Sequence, residues 1–465
     1  MRVTKLKVDS GPEVDFGFDV DGLVTSVGGL NAAPRGMNGG LLTQLVHGST
    51  TETLSYDGWG APLTMWMATA PDWGLILTYD PATGRITQKV ENWPPGYTGL
   101  VQKTYTYTYD SAGRLYRVTG DGPLREYTYD LNGNRQDVPV TPADNQDRVL
   151  GQGPVTYGYN LNGAVTTRTV GGVAKTLTYD NAGNLTSVDN VTYVVDAQNR
   201  RVGKKVGVTL VREWLYDGQL RVVGEVVIPT PPAALITRAY GYLPERHLPV
   251  MMVQLEGGTT TTYRIVGDHL GSLRAVVRSD GTVMQTMQHD EWGKVLTDWT
   301  NGFERVPFGF AGGLYDTETG LVRFGARDYD PETGRWLSKD LARFRGGTNF
   351  YEYAAGNPVS IIDPDGHGPA LFWDCVNFLK NNGIKLEAAI AICVPLLYVP
   401  DEPDYASCSE RSYMATIGCC RNLCNYRDDE ENSCPRSPYR ISRSDREKIA
   451  QRHCFEKCKA LNGVE

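Results

Sequence analysis

YTYDSAGRLYRV, residues 107 to 118, contains the pattern that decides the fold. Apolar and polar residues alternate as far as a Tyr-Asp pair, a short Ser-Ala-Gly segment follows, and the alternation then resumes. Alternation with a period of two is typical of a β-strand, and a short glycine-containing segment between two such runs predicts a hairpin. We expect the aspartate to cap the turn with its side chain and the glycine to adopt a positive φ.

The same unit recurs along the chain at a spacing close to 20 or 30 residues. Further copies are LTYDPATGRITQ (77–88), YTYDLNGNRQDV (127–138), YGYNLNGAVTTR (157–168) and LTYDNAGNLTSV (177–188). Because a single hairpin is marginally stable in water, the array is expected to stack into one long sheet, with each tyrosine ring stacking on the next. The aspartates of these turns are predicted to be structural rather than catalytic: Asp57, Asp80, Asp110, Asp130 and Asp180.

This Tyr-Asp unit resembles the YD-repeat, or Rhs, family, which includes Tc-toxin C subunits and teneurin YD shells, over roughly residues 50 to 367. The resemblance implies a mainly β fold, with hairpins wound into a spiral hollow shell, followed by a small, mostly α-helical, cysteine-rich C-terminal domain. The expected domains are a repeat shell (1–262), an Rhs-associated core with a self-cleavage site (263–367) and a variable effector domain (368–465).

The segment GLYDTETGLVRFGARDYDPETGRWLSKD, residues 313–340, reads as two successive hairpins and resembles the Rhs-associated core. In that family the core is an intramolecular aspartyl protease, which cuts the chain just after a P-x-x-x-x-D-P-x-G-hydrophobic motif. The residues in matching positions here are Pro358, Asp363, Pro364, Gly366 and His367. The chain departs from the family pattern at His367, where Leu or Met is usual, and at Leu341, where Pro more often follows the aspartate.

The resemblance also implies that Asp328 and Asp340 are the catalytic dyad and that Arg327 is their charge partner. Two carboxylates that share a site cannot both ionise, so one stays protonated to polarise the scissile carbonyl while the other takes a proton from water. Strand residues on opposite sides of the short YDPETG turn can face each other, so the spacing permits contact. Without the family, both are ordinary turn and strand residues; Asp330, at the head of the turn, is expected to be structural.

All nine cysteines lie in the last domain, and two pairs of them are four residues apart. On helices, each pair presents both sulfurs on one face, so two such helices side by side can be joined by disulfides. The candidate disulfide residues are Cys419, Cys420, Cys424, Cys454 and Cys458. Their connectivity does not follow from the sequence, and zinc ligation is the alternative use of these sulfurs.

The remaining features concern location and ligands. The N-terminus has frequent charges and no apolar signal-peptide segment, so secretion or surface display is expected to use a non-classical route or a missing upstream segment. The apolar run 388–399 predicts a buried helix or, alternatively, a segment that enters a membrane during delivery.

A net charge of −8 gives no strong nucleic-acid signal. We predict no cofactor and no metal site, since His269 and His289 have no ligand partner at a suitable spacing.

These features lead to the hypothesis of an Rhs-type polymorphic toxin that acts in bacterial competition. Its shell would hold the C-terminal domain as cargo, and cleavage near His367 would release that domain. The expected partners are a cognate immunity protein and an export apparatus, while the activity and target of the effector do not follow from the sequence. The alternative hypothesis is a cell-surface YD-repeat protein that recognises carbohydrate and has an inert core.

Overall fold

A computed structural model describes residues 4–8, 11–20, 22–33, 41–58, 60–67, 72–93, 102–136, 141–229, 235–244, 246–341 and 348–368. The predicted helical, cysteine-rich domain, with its candidate disulfides and its apolar run, lies outside the described residues apart from Gly368. Across the described part of the chain, no helix is long and apolar enough to cross a membrane.

The described residues form 33 β-strands, and each strand pairs with its neighbour in the chain within four antiparallel sheets. The first sheet contains β1 (Lys5–Lys7), β2 (Glu13–Phe18), β3 (Val24–Val27), β4 (Leu30–Ala32), β5 (Gln44–His47), β6 (Thr50–Tyr56), β7 (Pro62–Met67), β8 (Gly74–Tyr79), β9 (Ile86–Asn92), β10 (Gln102–Tyr109), β11 (Leu115–Gly120) and β12 (Arg125–Glu126). A two-stranded sheet follows, made of β13 (Thr128–Tyr129) and β14 (Arg135–Gln136).

The third sheet is the largest and continues the same hairpin order. It contains β15 (Gly151–Gln152), β16 (Val155–Tyr159), β17 (Val165–Val170), β18 (Val173–Tyr179), β19 (Leu185–Val188), β20 (Val191–Val195), β21 (Arg201–Val206), β22 (Thr209–Asp217), β23 (Arg221–Val227), β24 (Ile236–Gly241), β25 (Met251–Glu256), β26 (Thr259–Gly267), β27 (Leu273–Arg278), β28 (Val283–His289) and β29 (Val295–Thr300). The predicted division between residues 262 and 263 falls inside β26. That division stays a prediction.

The fourth sheet contains the two hairpins that were predicted between residues 313 and 340. Its strands are β30 (Leu314–Tyr315), β31 (Val322–Phe324), β32 (Arg327–Asp330) and β33 (Arg335–Trp336). Single 3₁₀ turns lie at Phe310–Gly312 and Ala354–Gly356. Pairing of β30 with β31 and of β32 with β33 confirms both hairpins.

The quoted repeat forms the predicted hairpin, because β10 pairs with β11 and Tyr107 lies opposite Val118. Gly113 takes a φ of +80° in the turn. The Asp110 Oδ1 atom accepts the backbone N–H of Arg114 at 2.9 Å. The local chemistry of the Tyr-Asp unit therefore produces the turn as the sequence predicts.

Consecutive hairpins are joined by hydrogen bonds and cation–π contacts of the repeat tyrosines. The Tyr129 hydroxyl donates to the Leu115 carbonyl at 2.8 Å, just after the preceding turn. The Arg114 guanidinium of that turn lies 4.4 Å from the centre of the Tyr129 ring. Tyr109 makes the equivalent bond to the Ile86 carbonyl at 2.6 Å. In these two copies the preceding repeat thus supplies a carbonyl and an arginine side chain to the tyrosine of the next repeat.

The first sheet packs against the third, and their apolar faces form one core. Residues from both sheets meet in this core, including Val14, Leu45, Met65, Trp73, Met251, Val253 and Val277. The approach is closest at Gly241, where a Cβ atom would lie 2.3 Å from Val27. Glycine is therefore required at this crossing of β24 over the first sheet.

Candidate cleavage site

Buried charged side chains attach the fourth sheet to strands of the third sheet. Asp330 begins the DPETG turn and caps it, because its Oδ1 atom accepts the Glu332 N–H at 3.1 Å. The same carboxylate accepts the Tyr157 hydroxyl at 2.5 Å and the Arg168 Nη2 group at 2.9 Å. Burial raises the pKa of Tyr157, so its hydroxyl keeps the proton that it donates. Asp330 therefore has the structural role that the sequence predicts.

Asp316 repeats this arrangement at the DTETG turn of the first hairpin. Its carboxylate accepts the Tyr193 hydroxyl at 2.7 Å and the Lys204 Nζ group at 2.9 Å. Burial alone would raise the pKa of Asp316. The nearby Lys204 ammonium outweighs burial and helps to lower the pKa to about 2. Two turns of the same sequence type thus hold the fourth sheet against β16, β17, β20 and β21.

Asp328, one member of the predicted dyad, lies between these two attachments. Its Oδ1 atom accepts from Arg201 at 2.7 Å, and its Oδ2 atom accepts from Arg323 at 2.8 Å. The Arg201 guanidinium also lies 3.4 Å from the centre of the Tyr193 ring. Asp328 is therefore bound by Arg201 from β21 of the third sheet and by Arg323 from the neighbouring strand β31 of its own sheet.

Arg327 precedes Asp328 on β32, so its side chain points to the opposite face. Its Nη2 atom lies 2.9 Å from the Asp340 carboxylate and 3.0 Å from the Asp363 carboxylate. Its Nε group donates to the Gly366 carbonyl. The guanidinium lies 4.1 Å from the centre of the Trp336 ring, which fixes its plane. One buried cation therefore contacts a predicted dyad member and two residues of the predicted cleavage motif.

The Asp363 side chain folds back over the end of that motif. Its Oδ1 atom accepts the His367 N–H at 3.1 Å, and its Oδ2 atom accepts the Gly368 N–H at 3.0 Å. The Ala326 N–H donates to the Asp365 carbonyl at 2.9 Å, which attaches the motif to the start of β32. The N–H groups of His367 and Gly368 both donate to the Asp363 carboxyl group, which fixes the backbone at the peptide bond between these two residues.

The motif approaches the fourth sheet too closely for side chains at two positions. Gly366 has a φ of +69°, and a Cβ atom there would lie 2.6 Å from the Phe324 carbonyl oxygen. A Cβ atom on Gly325 would lie 2.3 Å from the Asp365 carbonyl oxygen. The glycine of the P-x-x-x-x-D-P-x-G motif is therefore needed for this approach.

Asp363 is 1% exposed, and burial raises its pKa to about 8. The Arg327 guanidinium acts in the opposite direction, while the Asp365 carboxyl raises the pKa further. The pKa of Asp363 therefore lies well above that of an ordinary aspartate. Displaced pKa values of this kind occur both at functional sites and in buried ion-pair networks such as the one around Arg327.

The sequence-predicted residues therefore separate into two groups. Arg327, Asp340, Asp363 and Gly366 come together, whereas the contacts of Asp328 are with Arg201 and Arg323. Asp340 also lies beyond the end of β33, and its N–H donates to the Phe350 carbonyl at 3.1 Å instead of pairing across the hairpin. The Asp328–Asp340 dyad stays a prediction.

The other motif residues lie along the same segment. Pro358 is buried, and His367 is exposed at the end of the described chain. Pro364 borders a cavity of about 120 Å³ that Arg201 and Arg323 also line. The arginine partners of Asp328 and Pro364 of the cleavage motif therefore line the same cavity.

The two histidines considered for metal binding have other surroundings. The His269 Nε2 atom lies 2.9 Å from the Val359 carbonyl oxygen, and His289 ends β28. Burial lowers the pKa of His289 to about 3, so its ring stays neutral. Among the described residues, no group of three or more His, Cys, Asp or Glu side chains could hold a metal ion.

A family model for the teneurin YD-shell matches residues 2–359. The chain belongs to this family. The matched region of this YD-shell chain includes the repeats, the fourth sheet and Asp340, and it ends before Asp363. The family assignment therefore covers the shell, while the end of the cleavage motif lies beyond it.

Curated relatives of this YD-shell chain include human Teneurin-4, which is 30% identical over 308 residues, or 62% of the chain and 11% of Teneurin-4. The tRNA3(Ser)-specific nuclease WapA of Bacillus spizizenii is 30% identical over 283 residues, or 56% of the chain and 12% of WapA. The chain thus spans about a tenth of the length of these relatives.

A solved complex, TcdB2-TccC3-Cdc42, has a similar fold with a TM-score of 0.50 and 17% identity. The match covers 81% of this chain and 22% of the solved chain. At this identity the likeness concerns the fold alone. It agrees with the mainly β, antiparallel architecture of the described residues.

Proposed function

We propose that this YD-shell chain is an Rhs-type polymorphic toxin whose shell encloses its own C-terminal domain and releases it by intramolecular cleavage near His367. The relative WapA is named as a nuclease, which supports a shell of this family in a chain that carries an enzyme. In this proposal the protein is secreted or displayed at the cell surface, and an export apparatus and a cognate immunity protein are its partners.

The contact of Arg327 with Asp340, Asp363 and the Gly366 carbonyl is the observation that supports cleavage. It gathers a cation, two carboxyl groups and a fixed backbone segment in a site that largely excludes water. Peptide hydrolysis needs a base for the attacking water and an acid for the leaving nitrogen, and a carboxyl pair can supply both. We assign the base to Asp340, since the sequence resemblance and the contact with Arg327 both favour it.

The mass of the purified full chain tests this proposal. Wild type should give two fragments that meet after His367 under denaturing conditions, and the fragments should elute together in native gel filtration because the shell retains its cargo. Asp340→Asn should give one uncut chain. Asp180→Asn makes the same change in a repeat turn and should cleave like wild type. An uncut wild-type chain would contradict the proposal.

A second candidate function is a cell-surface protein that recognises carbohydrate and has an inert core. The match of the family model to the teneurin YD-shell and the identity with Teneurin-4 favour it. Expression of residues 368–465 in a bacterial cytoplasm or periplasm separates the two functions. Growth arrest supports the toxin, and normal growth together with an uncut full chain supports the binding protein.

A further inference from the structure

We propose that the cavity of about 120 Å³ between the third and fourth sheets is a binding site for a small oxyanion such as phosphate. Four arginines line it, Arg200, Arg201, Arg221 and Arg323, while none of the described residues around it is Asp or Glu. Self-cleavage does not enter this proposal, which concerns a ligand that the shell binds whether or not the chain is cut.

Two buried guanidinium groups at this cavity share a single carboxylate. The Asp328 carboxylate accepts from Arg201 at 2.7 Å and from Arg323 at 2.8 Å. All three side chains are 4% exposed or less. In the described part of the chain, neither arginine forms an ion pair with any other carboxylate. The three side chains therefore leave one buried positive charge without a counter-charge.

Other groups around the two arginines do not supply the missing negative charge. Asp316 acts on Arg201 electrostatically, but its carboxylate binds the Lys204 Nζ group at 2.9 Å. The Arg323 Nη2 atom donates to the Asn184 side chain, which is a neutral acceptor. Because burial of an uncompensated charge is costly, an anion bound here would stabilise the docked fourth sheet.

Unused donors and the volume of the cavity fit a tetrahedral oxyanion. Among the described residues, the buried Nε atoms of Arg201 and Arg323 have no hydrogen-bond partner. Guanidinium groups bind phosphate and carboxylate oxygens in a forked geometry, so two of them can hold one such anion. The volume corresponds to roughly four water molecules of the liquid, which is enough for one free phosphate ion.

Two further arginines give the cavity a positively charged approach from solvent. Arg200 and Arg221 line it and are partly exposed, and the exposed residues Gln219 and Leu220 lie beside them. A cleft lined by one sign of charge raises the local concentration of ions of the opposite sign. An anion therefore has both a route into the cavity and a buried charge to neutralise at its end.

Isothermal titration calorimetry of phosphate into the full chain, at constant ionic strength set with chloride, tests the site. One phosphate should bind per chain, and the melting temperature should rise with phosphate because the ion binds the folded state. Phenyl phosphate should bind more weakly, since the cavity has room for the free ion. Equal binding of phenyl phosphate would overturn the assignment to a free oxyanion.

A matched pair of arginine variants locates the binding. Arg200→Gln removes a charge from the cavity and should weaken phosphate binding by about threefold. Arg148→Gln is the control, because Arg148 makes the same ion pair with the aspartate four residues before it but does not line the cavity. Its phosphate affinity should equal that of the wild type.

Asp328→Asn gives a prediction in the opposite direction. It removes the carboxylate that competes for the two guanidinium groups while keeping the size of the side chain, so phosphate should bind about tenfold more tightly. Phosphate bound elsewhere on the shell would not respond to this change. Absence of phosphate binding, equal affinity in the two arginine variants, or unchanged affinity in Asp328→Asn would overturn the inference. If Asp328→Asn does not fold, the two arginine variants decide.

Discussion

The turns of the repeats and the fourth sheet use the same Tyr-Asp-turn sequence in two different environments. In the repeats, Asp110 and Asp180 bond to groups within four residues of themselves. In the fourth sheet, Asp316 and Asp330 still cap their turns, but their carboxylates also bind cations more than 100 residues away. The difference shows that the motif encodes a turn, and that burial against another sheet decides whether its aspartate becomes part of a charge network.

Arginines differ between the two regions in the same way. Arg114 is partly exposed and covers the ring of the next tyrosine, whereas Arg327 is 2% exposed and holds two carboxyl groups. A partly exposed ion pair contributes little to stability, but removal of one partner from a buried network leaves an uncompensated charge or polar group. The largest mutational effects should therefore lie in the fourth sheet and the segment that it holds.

Arg327→Met should have the largest effect. It removes the cation that holds Asp340 and Asp363 together, so cleavage should be lost and the shell destabilised by about 3–5 kcal/mol. Intact mass measures the first effect and urea unfolding the second. Arg114→Met is the control in a repeat, and it should cleave normally and lose about 1 kcal/mol or less. Equal losses in the two variants would contradict the contrast between the regions.

Asp330→Ala should rank second, with an effect on stability alone. It leaves the Arg168 guanidinium buried without its carboxylate, at a cost of about 3–5 kcal/mol, while the contacts of Arg327 stay in place. Urea unfolding of an uncleavable Asp340→Asn background measures the cost without a change in chain length. A loss below about 1 kcal/mol would show that this ion pair is no stronger than a surface pair.

Asp180→Ala should have the smallest effect of the three. The Asp180 carboxylate accepts the Ala182 and Asn184 N–H groups at 2.9 Å, so the variant loses turn hydrogen bonds that water can partly replace. We expect a loss of about 1 kcal/mol, close to the net value of a typical hydrogen bond. The unfolding midpoint of the same uncleavable background provides the measurement, and a loss as large as that of Asp330→Ala would remove the distinction.

The hairpins could be predicted from the sequence because their determinants are local. The alternation around Tyr107, the Asp110 cap and the glycine at residue 113 all act within one repeat. The bond from the Tyr129 hydroxyl to the Leu115 carbonyl joins different hairpins, so the repeat pattern indicated only that the tyrosine packs on its neighbour. The expected stacking of each tyrosine on the next stays a prediction.

The candidate site was predictable only in part for the same reason. The family resemblance predicted a site with Arg327, Asp340 and the cleavage motif, but the spacing did not show that Asp363 bonds to Arg327 across 36 residues. Asp328 and Arg327 are adjacent in sequence, and the alternation of strand β32 sends them to opposite faces. The alternation of side-chain direction along β32 is the sequence signal that could have placed Arg327 and Asp328 on opposite faces.

The most direct test of the account is cleavage of the wild-type chain itself, refolded at two protein concentrations that differ by tenfold. The account predicts two fragments that meet between His367 and Gly368, formed at a rate that does not change with concentration because the site and the cut segment belong to one molecule. A single uncut species of 465 residues, or a junction elsewhere in the chain, would contradict it.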